Sequence, residues 1–504
     1  MNHKILLTTL NARYMHCAFG LRYLYANLGA LKSVVQIREF TIQQRPIDIV
    51  EQLLALEPRI IGFSTYIWNV NETTAVIALL KQVSPQTIIV AGGPEVSFAD
   101  DLPELTELVD YIITGPGETS FRELCEDLLG EKPVAPGIIA GVTASLDTLE
   151  LPYAYYNTED IRNRLIYVEA SRGCPFKCEF CLSSLDKTAK PFELKRFLDA
   201  MDDLYQRGAR NFKFIDRTFN LKISTSIAIL EFFLQRIDDD LYLHFEVIPD
   251  YLPEQLKQVL TRFPPGALQF EIGVQTFDPE IQQIISRRQN NRNTCDNLRW
   301  LRENTGAHLH ADLIFGLPGD SLENFARSFD QLVALNPQEI QLGILKRLRG
   351  APINRRVDEY QMRYNPVAPY NILSTRDIDF ATMQRISRFA RFWDMIGNSG
   401  RFGNTLPLVL AEQPFENFLA LSDCLYELAG STWKISLRRL YALLFKALTG
   451  PLKLRPDRVR PALELDYRRS GQKGILDLDN PGLEIVTRTG VANKRQRQHQ
   501  QKNA

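Results

Sequence analysis

Two successive series of alternating strand-like and helix-like segments constrain the fold of this 504-residue chain more than any other feature. In the first, aliphatic and β-branched runs at residues 4–9, 34–40, 59–64, 87–92 and 109–114 are separated by helical stretches near 17–31, 47–56, 70–83 and 119–129. That alternation predicts a parallel, doubly wound sheet, because parallel neighbours need a crossover long enough to hold a helix. In the second, strands are expected at 165–170, 211–216, 241–248, 267–274, 309–315 and 338–345. Six such units suggest a partial (β/α)6 barrel of TIM-like type. From about residue 370 the pattern turns helical, with helices expected at 377–396, 408–429 and 436–448. The expected layout is a first domain at 1–135, a Pro- and Gly-punctuated linker at 136–163, a core at 164–365, a helical domain at 366–485 and a disordered basic tail at 486–504.

Folds of both kinds bind ligands at the carboxyl ends of their strands, and the chain concentrates its chemistry there. Ser64 and Thr65 close the third strand. Gly92 and Gly93 follow the fourth, in Ala91-Gly-Gly-Pro-Glu95, and Gly115 and Gly117 follow the fifth, in Thr114-Gly-Pro-Gly-Glu-Thr119. One glycine pair makes a turn; two pairs and a hydroxyl pair at three strand ends of one sheet favour a ligand with a polar tail.

After the first strand of the second series come Cys174, Cys178 and Cys181, spaced C-x3-C-x2-C. Four cysteines would close the coordination of an iron–sulfur cube, whereas three leave one iron open to substrate or cofactor. A structural zinc would need a fourth nitrogen or sulfur ligand. The next cysteine is Cys295 and the next histidine His244. Three adjacent thiols cannot all pair, and seven cysteines in the chain make no disulfide scaffold. Of the other cysteines, Cys17, Cys295 and Cys424 could be reactive thiols or small buried hydrophobes.

A net charge of −1 gives no global attraction to nucleic acid or acidic lipid. No apolar run reaches the roughly 18 residues needed to span a bilayer. Residues 1–13 are too short for the apolar core of a signal peptide. A reducing cytoplasm is therefore the expected compartment.

The cysteine loop resembles that of the radical S-adenosylmethionine (SAM) superfamily. Further segments match in order: Phe214-Ile-Asp-Arg-Thr-Phe-Asn220, His244-Phe-Glu246, Glu271-Ile-Gly-Val-Gln275 and Asp312-Leu-Ile-Phe-Gly-Leu-Pro-Gly319. Residues 1–130 resemble the cobalamin (B12)-binding domains fused to one branch of that superfamily. The D-x-H-x-x-G motif of many B12 domains is absent; the loop reads Asn11-Ala-Arg-Tyr-Met-His-Cys-Ala-Phe-Gly20. His16 is left with three roles open to it: below the cobalt, in the active-site wall, or as a helix cap. Asn365-Pro-Val-Ala-Pro-Tyr370 and Asn398-Ser-Gly-Arg401 resemble joints of an uncharacterised domain appended to some members.

The resemblance implies a [4Fe-4S] cluster on Cys174, Cys178 and Cys181, with SAM on its open iron. It implies SAM contacts at Phe180, Asp216, Glu246, Gln275 and Gly316. It implies cobalamin held by His16, Ser64, Thr65, Gly92, Gly93, Gly115, Gly117 and Glu118. The implied activity is methylation of an unactivated carbon through a 5′-deoxyadenosyl radical and methylcobalamin. Radical cyclisation or rearrangement on the same cofactors is an alternative, as is a cobalamin or Fe–S sensor without turnover. A one-electron reductant such as flavodoxin or ferredoxin, and a small-molecule substrate, are the implied partners. Arg172 and Lys177, beside the cysteines, either ease reduction of the cluster or are simply solvated. An RNA-modifying role would draw on the basic tail, but neither the net charge nor any recognisable module supports nucleic-acid binding.

Overall fold

The first sheet is six-stranded and parallel, in the order β2-β1-β3-β4-β5-β6. Its strands are β1 (Ile5–Asn11), β2 (Val35–Thr41), β3 (Ile60–Ser64), β4 (Ile88–Gly92), β5 (Tyr111–Thr114) and β6 (Gly137–Ala140). These assignments come from a computed structural model that describes residues 4–471 and 476–478. The tail expected at 486–504 lies outside the described residues. β1 is buried along its whole length, as a central strand covered on both faces must be. On one face Leu6 and Ile61 pack in one cluster with Ile49 and Leu53 of α2 (Pro46–Leu54) and Ile77 and Leu80 of α3 (Val70–Val83). The other packs Ile5, Leu7, Leu21 and Phe121 beneath α1 (Phe19–Ala26) and α4 (Glu118–Leu129). The order is flavodoxin-like, so strand direction of travel reverses beside β1 and a crevice opens at the carboxyl ends of β1, β3 and β4.

Two expectations differ in detail. The first helix is shorter than 17–31: it stops at Ala26, and a 3-10 turn follows at Gly29–Val34 after Gly29 takes φ of 55°. The stretch expected as plain linker contributes β6, which pairs with β5 along Gly137–Ala140. β6 is a four-residue edge strand and mostly exposed, so it carries no burial pattern a sequence could display.

The second sheet is also six-stranded and parallel. Its strands are β7 (Ile166–Val168), β8 (Asn211–Phe214), β9 (Tyr242–Val247), β10 (Leu268–Gln275), β11 (His308–Phe315) and β12 (Glu339–Ile344), paired in sequence order. Helices alternate with them, and β7 and β12 stand as the two edges of a partial barrel. Strict alternation of burial along β10 and β11 sends Phe270, Ile272, Leu309 and Leu313 outward under the helices. Glu271, Gln275, His310 and Asp312 face inward.

From Arg385 a second compact unit follows. It is helical, but the helix expected at 408–429 is broken into Leu406–Leu410 and Pro414–Ala429. Ala411 takes φ of 41° between them and Pro414 opens the second piece, a position proline favours because its missing N–H has no helical partner there. A last helix at Pro456–Arg469 went unread because Pro461 interrupts its pattern. Within this unit the buried Asp466 carboxylate accepts from the Asn404 and Thr405 backbone N–H groups at 3.0 and 2.9 Å and from both their side chains.

Candidate active site

The cysteine loop begins where β7 ends. Ser171-Arg172 pairs antiparallel with Lys190-Pro191 and closes the loop at its neck. Gly173, at φ of 93°, lets the chain pass Thr188; a Cβ there would stand 2.1 Å from the Thr188 carbonyl oxygen. The loop is pinned from outside as well. Glu179 N–H donates to Ile285 O at 2.9 Å, and the Glu179 carboxylate accepts from Arg356 at 2.6 Å and Ser286 at 3.1 Å.

Cys174, Cys178 and Cys181 all line one cavity of about 250 Å³. Burial pushes the Cys174 and Cys178 thiols up, and the Arg287 guanidinium opposes this at Cys178. Among the described residues no three His, Cys, Asp or Glu side chains gather tightly enough for a single metal ion. An iron–sulfur cube asks for no such convergence, since each cysteine binds its own iron. The donor set suits a cluster: three sulfurs lining one cavity, with the Arg287 and Arg217 guanidinium groups in the same wall.

The five residues expected near SAM fall as follows. Phe180, Glu246 and Gln275 line this cavity. Gly316 does not; it turns the chain at φ of 90° against Ile372 and Met383. Asp216 does not line it either. Its buried carboxylate accepts from Ala170 N–H at 2.9 Å and Ser171 hydroxyl at 2.6 Å, tying β8 to the neck of the cysteine loop. Burial pushes it up to about 7.

Four further charged residues, Arg287, Asp312, Glu271 and Arg217, belong to the wall. Arg287 donates to Cys178 Sγ at 3.7 Å and to the Gly273 carbonyl, so it joins the cysteine loop to β10. There β10 carries a register shift, and Gln275 is held at φ of 70°, a left-handed conformation a glutamine adopts at a cost. Gln275 Oε1 and Asp312 Oδ1 are buried acceptors without a hydrogen bond, His310 Nε2 standing 3.4 Å from the latter. Burial, then the Glu271 and Glu246 carboxylates, push Asp312 well above the usual carboxylate range. Burial would also raise Glu271, but the His244 hydrogen bond and the Lys213 charge bring it down to about 2. Arg217 pairs with Glu246 at 2.9 Å.

A second, larger cavity of about 680 Å³ lies between the first sheet and the barrel mouth. Arg217 and Glu246 belong to the walls of both cavities. His16 lines the larger one, with Nδ1 2.7 Å from the Tyr167 hydroxyl, and burial lowers its pKa. Cys17 lines it too, but burial raises its thiol to about 12, so it stays protonated. Tyr66 and Trp68 stack at its wall, ring centroids 4.3 Å apart.

A third cleft of about 220 Å³ opens at the strand ends of the first sheet and shares Gly20, Tyr23 and Tyr66 with the second. Ser64, Gly92, Gly93, Gly115, Gly117 and Glu118 line it. Thr65 does not. It is wholly buried behind Gly93, whose Cβ, if present, would stand 2.5 Å from the Thr65 carbonyl oxygen. Arg172 is half-buried and held in ion pairs. It pairs with Glu118 at 2.7 Å and Glu169 at 2.8 Å and covers the Tyr23 ring.

Comparison with known proteins accords with this division. Residues 5–125 match the B12 binding domain family, 168–332 the Radical SAM superfamily and 358–500 a protein family of unknown function, DUF4080. This chain carries a B12-binding domain and a radical SAM domain. The B12 domain thus holds the glycine-lined cleft, and the radical SAM core holds the cysteine cavity. The chain is 24% identical over 62% of its length to a cobalamin-dependent radical SAM methyltransferase, TokK of Streptomyces tokunonensis, covering 51% of that protein. It is 24% identical over 64% of its length to 2-(S-pantetheinyl)-carbapenam-3-carboxylate methyltransferase of Streptantibioticus cattleyicolor, covering 53% of it. The chain spans about half the length of these curated relatives. In fold it is similar to the cobalamin-dependent SAM radical enzyme OxsB, with TM-score 0.64 at 15% identity, over 94% of this chain and 83% of that one. It is also similar to TsrM of Kitasatospora setae, with TM-score 0.56 at 19% identity, over 72% and 78%.

Proposed function

We propose that the protein is an enzyme that methylates an unactivated carbon of a small molecule, using cobalamin and a cluster-bound SAM. The observation that carries this is continuity. The cysteine cavity shares Arg217 and Glu246 with the large cavity, and the large cavity shares Gly20, Tyr23 and Tyr66 with the glycine cleft. A cluster site, a space for substrate and a corrin site therefore adjoin, with the same side chains at each boundary. When bound, SAM and the cluster supply a one-electron route to a carbon radical, and cobalamin supplies a methyl group.

The chain's own groups divide the remaining work. Cys174, Cys178 and Cys181 each hold one iron. Glu246 receives the SAM ammonium, and Arg287, beside Cys178, receives its carboxylate. The free acceptor atom of Gln275 takes a ribose hydroxyl, and Asp312 beside it takes another. The β-end glycines admit the nucleotide tail of the corrin close to the backbone. Enclosure between B12 domain and barrel keeps water from a reactive carbon centre. A flavodoxin- or ferredoxin-like protein supplies the electron. No helix of the described residues is long and apolar enough to cross a membrane.

The test is substitution of the triad. Cys174→Ala, Cys178→Ala and Cys181→Ala, singly, are expected to abolish 5′-deoxyadenosine formation and reduce bound iron while leaving cobalamin bound. Retention of SAM cleavage by any one of them contradicts the assignment.

A further inference from the structure

The barrel sheet is apolar on one face only. Parallel sheets covered on both sides are normally apolar on both, and outward positions such as Phe212, Phe245, Phe270 and Phe315 follow that rule. Among the described residues, inward positions of β7–β12 carry a single aliphatic side chain, Ile314. The others are polar or glycine. Toward the base of the lumen these groups saturate one another. His308 Nε2 lies 2.9 Å from Glu339, His310 Nε2 lies 2.9 Å from Gln341, and Tyr242 bonds Gln269.

Toward the mouth His244 Nε2 lies 3.0 Å from Glu271 Oε2, but Lys213 is held only loosely. Lys213 Nζ stands 3.4 Å from Glu271 Oε2, longer than a good charged hydrogen bond, and has no other partner among the described residues. Lys213 lines the large cavity and Glu271 the cysteine cavity, their side chains 24% and 27% exposed. A charged pair thus sits on the wall where those two spaces meet. An apolar substrate laid there would strip water from both charges and offer no polar group in its place. A molecule with opposite charges replaces each partner with its own.

We infer that the Lys213–Glu271 pair recognises the methyl acceptor, and that the acceptor is a small water-soluble zwitterion, its ammonium on Glu271 and its carboxylate on Lys213. This rests on the methyl-transfer reading given above.

The probes are glycine, β-alanine and γ-aminobutyrate, with cyclohexanol as the apolar comparison, followed by saturation-transfer NMR on the holoprotein. At least one zwitterion is expected to bind wild type, cyclohexanol is expected not to, and Lys213→Met and Glu271→Gln are each expected to weaken binding about tenfold or more, the loss of one charged contact. Binding of cyclohexanol alone, binding of no zwitterion, or zwitterion affinity unchanged in both variants overturns the inference. The wild-type comparison stands even if a variant fails to fold. Iron, corrin and SAM cleavage are measured in the same sample. Cleavage without zwitterion binding defeats this inference alone; binding in protein that takes up neither cofactor defeats the methyl-transfer reading alone.

Discussion

At Gly93 one hydrogen atom separates an open cleft from a collision. Its φ of 105° is a region essentially reserved for glycine, and its Cβ would meet Thr65 O at 2.5 Å. Gly93→Ala is expected to cost about 1–3 kcal/mol and to weaken cobalamin retention, checked by thermal unfolding and corrin absorbance. Asp216 gives a pH signature. Its folded-state pKa, about 7, is raised above the unfolded value near 3.8. Its contribution is therefore full below about pH 4 and is lost as pH rises through 7. Asp216→Asn keeps an acceptor for Ala170 and Ser171, so it is expected to flatten stability across that window, while Asp216→Ala destabilises at every pH. A wild-type pH profile identical to that of the Asn variant contradicts this. The same residues show what could be read in advance. The cysteines announce themselves, because their chemistry lies in residue type and spacing. Asp216 is visible as a strand-end acid, but nothing in a sequence tells which way it turns. Arg287 lies 109 residues from Cys178 in the chain and carries no pattern at all.

At the scale of elements, two ionic contacts join the B12 domain to the barrel's edges. Near β7, Glu39 accepts from Arg22 at 2.8 Å and Arg164 at 2.9 Å, and both arginines also reach Asp160, all four side chains at most 10% exposed. Beyond β12, Arg349 pairs with Glu95 at 2.8 Å and Asp101 at 2.5 Å, and Arg347 joins Asp101 at 2.6 Å. Glu39→Ala leaves two buried guanidinium groups sharing one carboxylate, Asp160, and so one buried positive charge in excess, and is expected to cost about 3–5 kcal/mol. Arg45→Ala breaks a solvent-exposed pair with Asp48 and is expected to change stability far less than Glu39→Ala does. Arg349→Ala is expected to speed cobalamin dissociation, read in a stopped-flow chase, by loosening the barrel-edge contact. Equal stability losses for Glu39→Ala and Arg45→Ala contradict the ordering. Central strands such as β1 and β10 were legible because burial writes itself as apolar runs and alternation. The edge strand β6 and the broken helix at 406–429 were not, since one is exposed and the other is set by the conformation of Ala411.

For the whole molecule, the architecture of B12 sheet, partial barrel and helical end follows from element order, which the sequence displays plainly. The continuity of three cavities does not, because it depends on how two sheets present their carboxyl ends to each other. The central claim it supports is that one chain uses a cluster, SAM and cobalamin together, and one anaerobic measurement addresses that claim. Reconstituted protein is assayed for iron and bound cobalamin, then given SAM and a reductant and examined for 5′-deoxyadenosine. The account predicts about four irons and one cobalamin per chain, with 5′-deoxyadenosine released. Zinc in place of iron, or a full cluster that never cleaves SAM, contradicts it.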